Sequence, residues 1–180
     1  MIYLIGGASK SGKSYLSRKI MEEKKIPFFS TDFLLWSLGG ENGKFSYFDS
    51  DEKVAPLLED NILKIIFFLN KNNEDYVLEG THITMSLYEK TKELYKDNVK
   101  GIFLGYTNIT AEDKYEEVLS NEDIDSNKWY EYISKEDFIL FLDKQIELSK
   151  KIKSIKPNLF FDVENIKSDY ERIINILFEM

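Results

Sequence analysis

The chain contains no cysteine, which excludes disulfide scaffolds, thiolate zinc sites and cysteine nucleophiles. Its single histidine, His82, excludes a histidine-rich metal site. Arginine is almost as scarce. Of 24 basic residues only Arg18 and Arg172 are arginines, so the planar fork that grips phosphate at two points is nearly missing from the chain. Long hydrophobic runs are absent too: residues 62–69 are interrupted by Lys64 and fall well below the ~18 residues a membrane span needs. The run Met1 to Ile5 is too short for a signal segment and has no positive residues before it, so a cytoplasmic protein without a membrane partner is expected. Positive charge is in deficit, 24 Lys+Arg against 32 Asp+Glu for a net −8, which argues against binding nucleic acid polymers or anionic membranes. A small basic pocket is still permitted. No repeat, low-complexity tract or linker divides the 180 residues, so they read as one domain, 1–180.

What the chain does contain is an alternation of short apolar runs with helical patterns. Tyr3 to Ile5, Pro27 to Phe29, Tyr76 to Leu78, Ile102 to Leu104 and Leu159 to Phe161 are five candidate strands. Helical spacing marks Ser14 to Glu23, Ala55 to Leu69, Ala111 to Leu119, a longer face through Phe138, Phe141, Leu142, Gln145 and Leu148, and a last one through Tyr170, Ile173, Ile174 and Leu177. This predicts an α/β fold, a three-layer α/β/α sandwich with a five-stranded parallel sheet. Ligands of such sheets bind at the carboxyl ends of the strands.

The first strand runs into Gly7-Ala8-Ser9-Lys10-Ser11-Gly12-Lys13-Ser14, which fits G-x-x-x-x-G-K-[ST] at every fixed position and is followed by an amphipathic pattern. The glycines let backbone N–H groups converge on phosphate oxygens, and the helix N-terminus adds its positive end. The expected nucleotide site is Gly7, Ala8, Ser9, Lys10, Ser11, Gly12, Lys13, Ser14 and Tyr15, with Lys13 reaching the β- and γ-phosphates of ATP and the Ser14 hydroxyl on Mg²⁺. A guanine-reading N-K-x-D is missing: residues 70–73 and 127–130 both lack the aspartate.

On this motif the chain resembles the P-loop kinases, the group that includes nucleoside monophosphate, shikimate and adenylylsulfate kinases. Ser30-Thr31-Asp32 is similar to the S-T-D after strand two in many of them, which implies that Asp32 orients or deprotonates the acceptor hydroxyl; Ser, Thr and Asp before Phe33 also read as a helix cap. Glu79-Gly80-Thr81-His82 resembles the E-G-x-H stretch of 2-phosphoglycerate-kinase-like enzymes, implying a metal or acceptor role for Glu79 against a cap or surface carboxylate. His82, a lone histidine in a polar loop, reads as solvated, with a residue of the acceptor site as the alternative. Residues 101–117, with Trp129, Gln145, Ser149 and the run Asn158 to Val163, resemble uncharacterised bacterial P-loop kinases. The resemblance thus covers most of the chain, loosely outside the phosphate loop.

It implies an acceptor-binding flap over about 33–60 and a lid-like region over about 111–156. The flap holds Trp36, Phe45, Tyr47 and Phe48 among glycines, which suits either a mobile cover or core packing. Neither arginine falls in the lid, so Lys144, Lys150, Lys151, Lys153 and Lys156 are either substitutes or a solvated helix face, with Lys10 a further candidate charge. The function implied is ATP-dependent transfer of the γ-phosphate to a small cytosolic metabolite, leaning to a nucleoside or nucleotide. Alternatives are a nucleotide-binding regulatory module without transferase activity and a toxin-like kinase acting on a nucleotide sugar.

Overall fold

The structure is a computed structural model that describes residues 1–40, 43, 45–46, 49–121 and 128–179. Five strands form one parallel sheet: β1 (Ile2–Gly7), β2 (Phe28–Ser30), β3 (Tyr76–Glu79), β4 (Val99–Gly105) and β5 (Phe160–Asp162), in the spatial order β2-β3-β1-β4-β5. Burial explains the unbroken apolar character of β1: all six of its residues are buried, as expected for a central parallel strand covered on both faces.

Alternation along β1 sends its side chains into two cores. Tyr3 and Ile5 pack with Leu16 and Ile20 of α1 (Lys13–Lys24) and with Ile173, Ile174 and Leu177 of α7 (Ile166–Glu179). Ile2 and Leu4 pack with Leu58, Ile62 and Ile66 of α3 (Asp51–Lys71) and Leu87 of α4 (Met85–Tyr95), while Leu34, Leu35 and Leu38 of α2 (Asp32–Leu38) lie against the edge of this core. A third apolar cluster joins α5 (Ala111–Ser120) to α6 (Lys135–Ile155) through Ala111, Val118, Phe138, Leu142 and Ile146, and it reaches Ala8 of the phosphate loop.

The five strands and the fold class agree with the sequence reading, but three helices differ from it. The pattern starts α3 at Ala55, ahead of Pro56, whereas the helix begins at Asp51 and carries Pro56 inside. Burial of Val54 and Ala55 at 1% and 5% exposure extends the packed face across the proline, so tertiary contact overrides a breaker that costs about 3 kcal/mol in isolation. Periodicity separates neither α2 nor α4 from loop: α2 is seven residues long and apolar at five of them, with no polar face to set a period, and α4 buries only Leu87, Tyr88 and Thr91. Its start is nonetheless marked chemically, Thr84 Oγ1 accepting from Leu87 N at 3.1 Å.

The order of the strands fixes the site. From β1 the chain crosses to β2 at one edge, returns through β3, and then passes over β1 to β4. The carboxyl end of β1, flanked by those of β3 and β4, is therefore the switch point at which such sheets bind ligands.

Candidate active site

Beyond β1 the backbone turns on two glycines that tolerate no side chain. Gly7 has φ +110°, and a Cβ there would lie 2.0 Å from the Leu104 carbonyl oxygen; Gly12 has φ +89°, and its Cβ would lie 2.4 Å from Ile166. Both positions need the left-handed region without a Cβ. Ala8 N donates to Leu104 O at 2.9 Å, tying the loop to β4. Gly12 supplies no side-chain cap to α1 and no acid occupies the helix's first turn, so its N–H groups and positive end are open to an anion.

Lys13 is 7% exposed and folds back on its own loop, its Nζ donating to Ala8 O at 2.5 Å and Gly7 O at 3.3 Å. Burial pushes its ammonium below the ordinary lysine range, against the pull of Glu79, Asp32 and Asp51. Ser14 Oγ donates to Glu79 Oε1 at 3.1 Å. Glu79, at 2% exposure, ends β3 level with Ile5 of β1 and Ser30 of β2. Burial pushes its carboxyl above the usual range, while the Lys13 charge and hydrogen bonds with Ser30 and Ser14 draw it back. Glu79 is thus a buried carboxylate on the hydroxyl of the loop, and neither a helix cap nor a surface acid.

Asp32 opens α2, half-buried on the wall of the same cleft. Thr31 precedes it without capping the helix; the Thr31 hydroxyl lies 3.0 Å from His82 Nδ1 instead. Gly80 permits this approach, since a Cβ there would fall 1.9 Å from Thr31 Oγ1. The expectation for His82 is corrected: it is 2% exposed, not solvated, because the loop after β3 folds under α2 and against the start of α3. Burial lowers its imidazole below the ordinary range, opposed by Asp51 and Asp32.

The cleft holding these groups has a volume of about 1470 Å³ and runs from the phosphate loop to α2 on one side and to α5 and α6 on the other. The lysines of α6 divide. Lys144 and Lys151 line the cleft. Lys150 pairs with Glu147 at 2.8 Å, Lys153 with Asp162 at 2.7 Å and Lys156 with Glu89 at 3.2 Å, so these three point charges are engaged elsewhere. Lys10 stands over the rings of Tyr130 and Trp129, at 4.6 and 5.7 Å. The aromatics of the flap also divide: Trp36 lines the cleft, Phe45 is core at 5% exposure, and Tyr47 and Phe48 lie outside the described residues.

Sequence reading overlooks the brace behind the loop. Gln145 Oε1 accepts from Ser9 N at 2.8 Å, Ser149 Oγ accepts from Tyr106 N at 3.2 Å, and Tyr106 Oη donates to Ser9 O at 2.9 Å. Lys114, 2% exposed, lies 4.4 Å from the Tyr106 ring and pairs with Glu117 at 2.7 Å. A signal exists: Lys114 shares a helix face with buried Ala111 and Val118, and Gln145 and Ser149 fall on the buried face of α6 with Leu142 and Ile146, positions where a polar residue needs a partner.

No protein-family model matches the chain, and no curated protein matches it in sequence. Solved structures are similar in fold. The chain is similar to a shikimate kinase from Bacteroides thetaiotaomicron, at TM-score 0.61 and 16% identity over 100% of this chain and 99% of that one. It is also similar to a gluconokinase from Sinorhizobium meliloti 1021, at 0.54 and 16% over 98% and 89%, and to an uncharacterized protein from Eubacterium ventriosum, at 0.54 and 16% over 100% and 99%. The chain has the α/β fold of the small P-loop kinases.

Proposed function

We propose that the protein is an ATP- and Mg²⁺-dependent kinase that transfers the γ-phosphate to a hydroxyl of a small molecule. The observation that carries this reading is the convergence at one end of β1 of an uncapped helix N-terminus, Lys13, the Ser14–Glu79 oxygen pair and, on the same cleft, Asp32. Phosphoryl transfer asks for positioning and charge stabilisation more than covalent chemistry, and this set offers both. The kinase names of two similar structures support the same reading.

The residues present fit Mg²⁺. Ser14 and Glu79 offer hard oxygens beside the loop, and among the described residues no group of three or more His, Asp or Glu could hold a metal alone; that suits an ion ligated largely by phosphate oxygens and water. Bound there, Mg²⁺ would neutralise charge on the β- and γ-phosphates. Loop N–H groups and Lys13 hold the same phosphates. Asp32 orients the acceptor O–H and takes its proton as the oxygen attacks the γ-phosphorus; the bond from that phosphorus to the bridging oxygen breaks, and ADP leaves with the electron pair. The 180 residues act as one domain, with the segment 33–60 on the acceptor side and 111–156 as the lid.

One observation favours a second reading, a nucleotide-binding module without transfer: neither arginine lines the cleft, Arg172 stacking on Phe161 at 4.7 Å. Incubation with ATP, Mg²⁺ and a metabolite extract, followed by mass spectrometry for a product heavier by one phosphate, separates the two. Lys13→Ala abolishes ATP binding in calorimetry. Asp32→Asn keeps ATP binding and lowers turnover by about 10²- to 10⁴-fold, the range a positioned base contributes; equal turnover removes Asp32 from the chemistry.

A further inference from the structure

Charge is unevenly spread in the cleft: the side built around α5 and α6 carries lysines together with Glu117, Glu131, Asp143 and Glu147, and the side built by residues 32–82 carries, among the described residues, acids alone. The cleft's lysines come from the phosphate loop and from residues 114–151. The wall built by residues 32–82 contributes Asp32, Asp49, Asp51, Glu52 and Glu79 and, among the described residues, no lysine or arginine. Two of these acids are already engaged. Asp49 accepts from Ser46 N at 2.9 Å and pairs with Lys53 at 2.7 Å, and Glu79 faces Ser14 and Lys13. Asp51 and Glu52 open α3, where acids are favoured by the helix dipole, but both also line the cleft.

A second, independent observation comes from His82. Its Nδ1 is engaged with Thr31, while the buried Nε2 has no hydrogen-bond partner and stands 3.6 Å from Asp51 Oδ1, too far for a bond. A buried polar atom left unpaired is costly; His82 and Asp51, which it faces, both line the cleft, so a small movement of Asp51 toward a bound molecule would let that molecule satisfy it. Kept neutral by burial, the imidazole adds no positive charge to this wall.

We propose that the phosphoryl acceptor is a hydroxyl compound bearing a protonated amine, of the amino alcohol or amino sugar class, and not a carboxylate or phosphate ester. This rests on the kinase reading given above. The reacting hydroxyl sits at Asp32, the ammonium at Asp51 and Glu52, and a further polar group of the acceptor meets His82 Nε2. An anionic acceptor entering this wall meets carboxylates, the nearby Lys13 being folded onto the carbonyls of the phosphate loop, and like charges brought together as water is excluded are strongly disfavoured.

The test is to separate a metabolite extract at neutral pH on cation and anion exchangers, and to assay each fraction with the full chain, Mg²⁺ and γ-labelled ATP. The expected result is transfer from the cation-exchanger fraction, with the KM for that acceptor raised about tenfold or more in Asp51→Asn and in Glu52→Gln while kcat is largely kept. Glu52 is exposed, so its variant serves if Asp51→Asn folds poorly, and calorimetric ATP affinity reports folding in both. Transfer confined to the anion-exchanger or unretained fraction overturns the inference and leaves the kinase reading standing, as does an unchanged KM in the folded variants. A protein that binds MgATP but labels no fraction overturns the kinase reading and this inference with it.

Discussion

Glu79 shows how a residue suited to a bound ion is unsuited to the ligand-free fold. It is 2% exposed at the end of a central strand, and burial raises its pKa despite Lys13. A carboxyl with a raised folded pKa stabilises the fold while protonated; that contribution is complete below the ordinary carboxylate range and is lost as pH rises through the raised value. Ligand-free protein therefore loses this contribution as pH rises above the ordinary carboxylate range. Glu79→Gln keeps the shape and removes the charge, so thermal unfolding near pH 7 should show a Tm higher by roughly 2–4 °C, the shift that about 1 kcal/mol produces in a chain of this length, and a flatter dependence of Tm on pH. Phosphoryl transfer by the same variant should fall about 10²-fold or more, because the partner of Ser14 is no longer an anion. A Tm unchanged by the substitution would show that Lys13 already compensates the charge in full.

At the level of elements, the phosphate loop depends on α6, which is far from it in sequence. Gln145 reaches back to Ser9 N, and Ser149 holds Tyr106, whose hydroxyl supports the Ser9 carbonyl. Under the proposed function, Gln145 is a positioning residue that acts through this loop amide. Gln145→Ala should raise the KM for ATP about tenfold, the worth of one well-formed hydrogen bond at the upper end of its range, with kcat much less affected. Equal losses in both would place Gln145 at the reacting phosphate instead. This brace also marks where the sequence stopped being legible. The loop, the five strands and the amphipathic α1, α5, α6 and α7 follow from local pattern, since each has a regular apolar period or a fixed glycine spacing. Asp32 and Glu79 stand out in the sequence because each follows an apolar run, and the structure lines one cleft with both. What stayed hidden was long-range: Gln145 meets Ser9 across 136 residues, and buried His82 meets Thr31 across 51 residues and Asp51 at the start of α3. The fates of Lys153 and Lys156 were equally closed to local pattern, because their partners Asp162 and Glu89 lie on other elements.

Over the whole molecule, a net charge of −8 is compatible with the proposed nucleotide site because the charge is unevenly placed. Residues 1–25 hold six basic groups against Glu22 and Glu23, a local +4, whereas residues 111–143 hold eleven acids against three lysines. The structure puts the first group at the phosphate loop and the helix behind it, and much of the second on α5 and the start of α6, beside the cleft mouth. A compact triphosphate reaches Lys13 and the open end of α1, while an extended polyanion meets the acidic elements around them, and its affinity lacks the several simultaneous cation contacts that polymer binding requires. Two measurements on one preparation should therefore diverge. The chain should pass through a heparin column at about 50 mM salt, where proteins making several phosphate contacts are held. MgATP at about 100 times its Kd should stabilise the fold by about 2.7 kcal/mol, seen as a Tm increase of roughly 5–10 °C, and Lys13→Ala should remove that increase while still passing through the column. Retention on heparin by the wild-type chain, with the Tm increase lost in competition with the polymer, would mean that the basic end of the sheet is open to extended polyanions and that the acidic surround does not select by size.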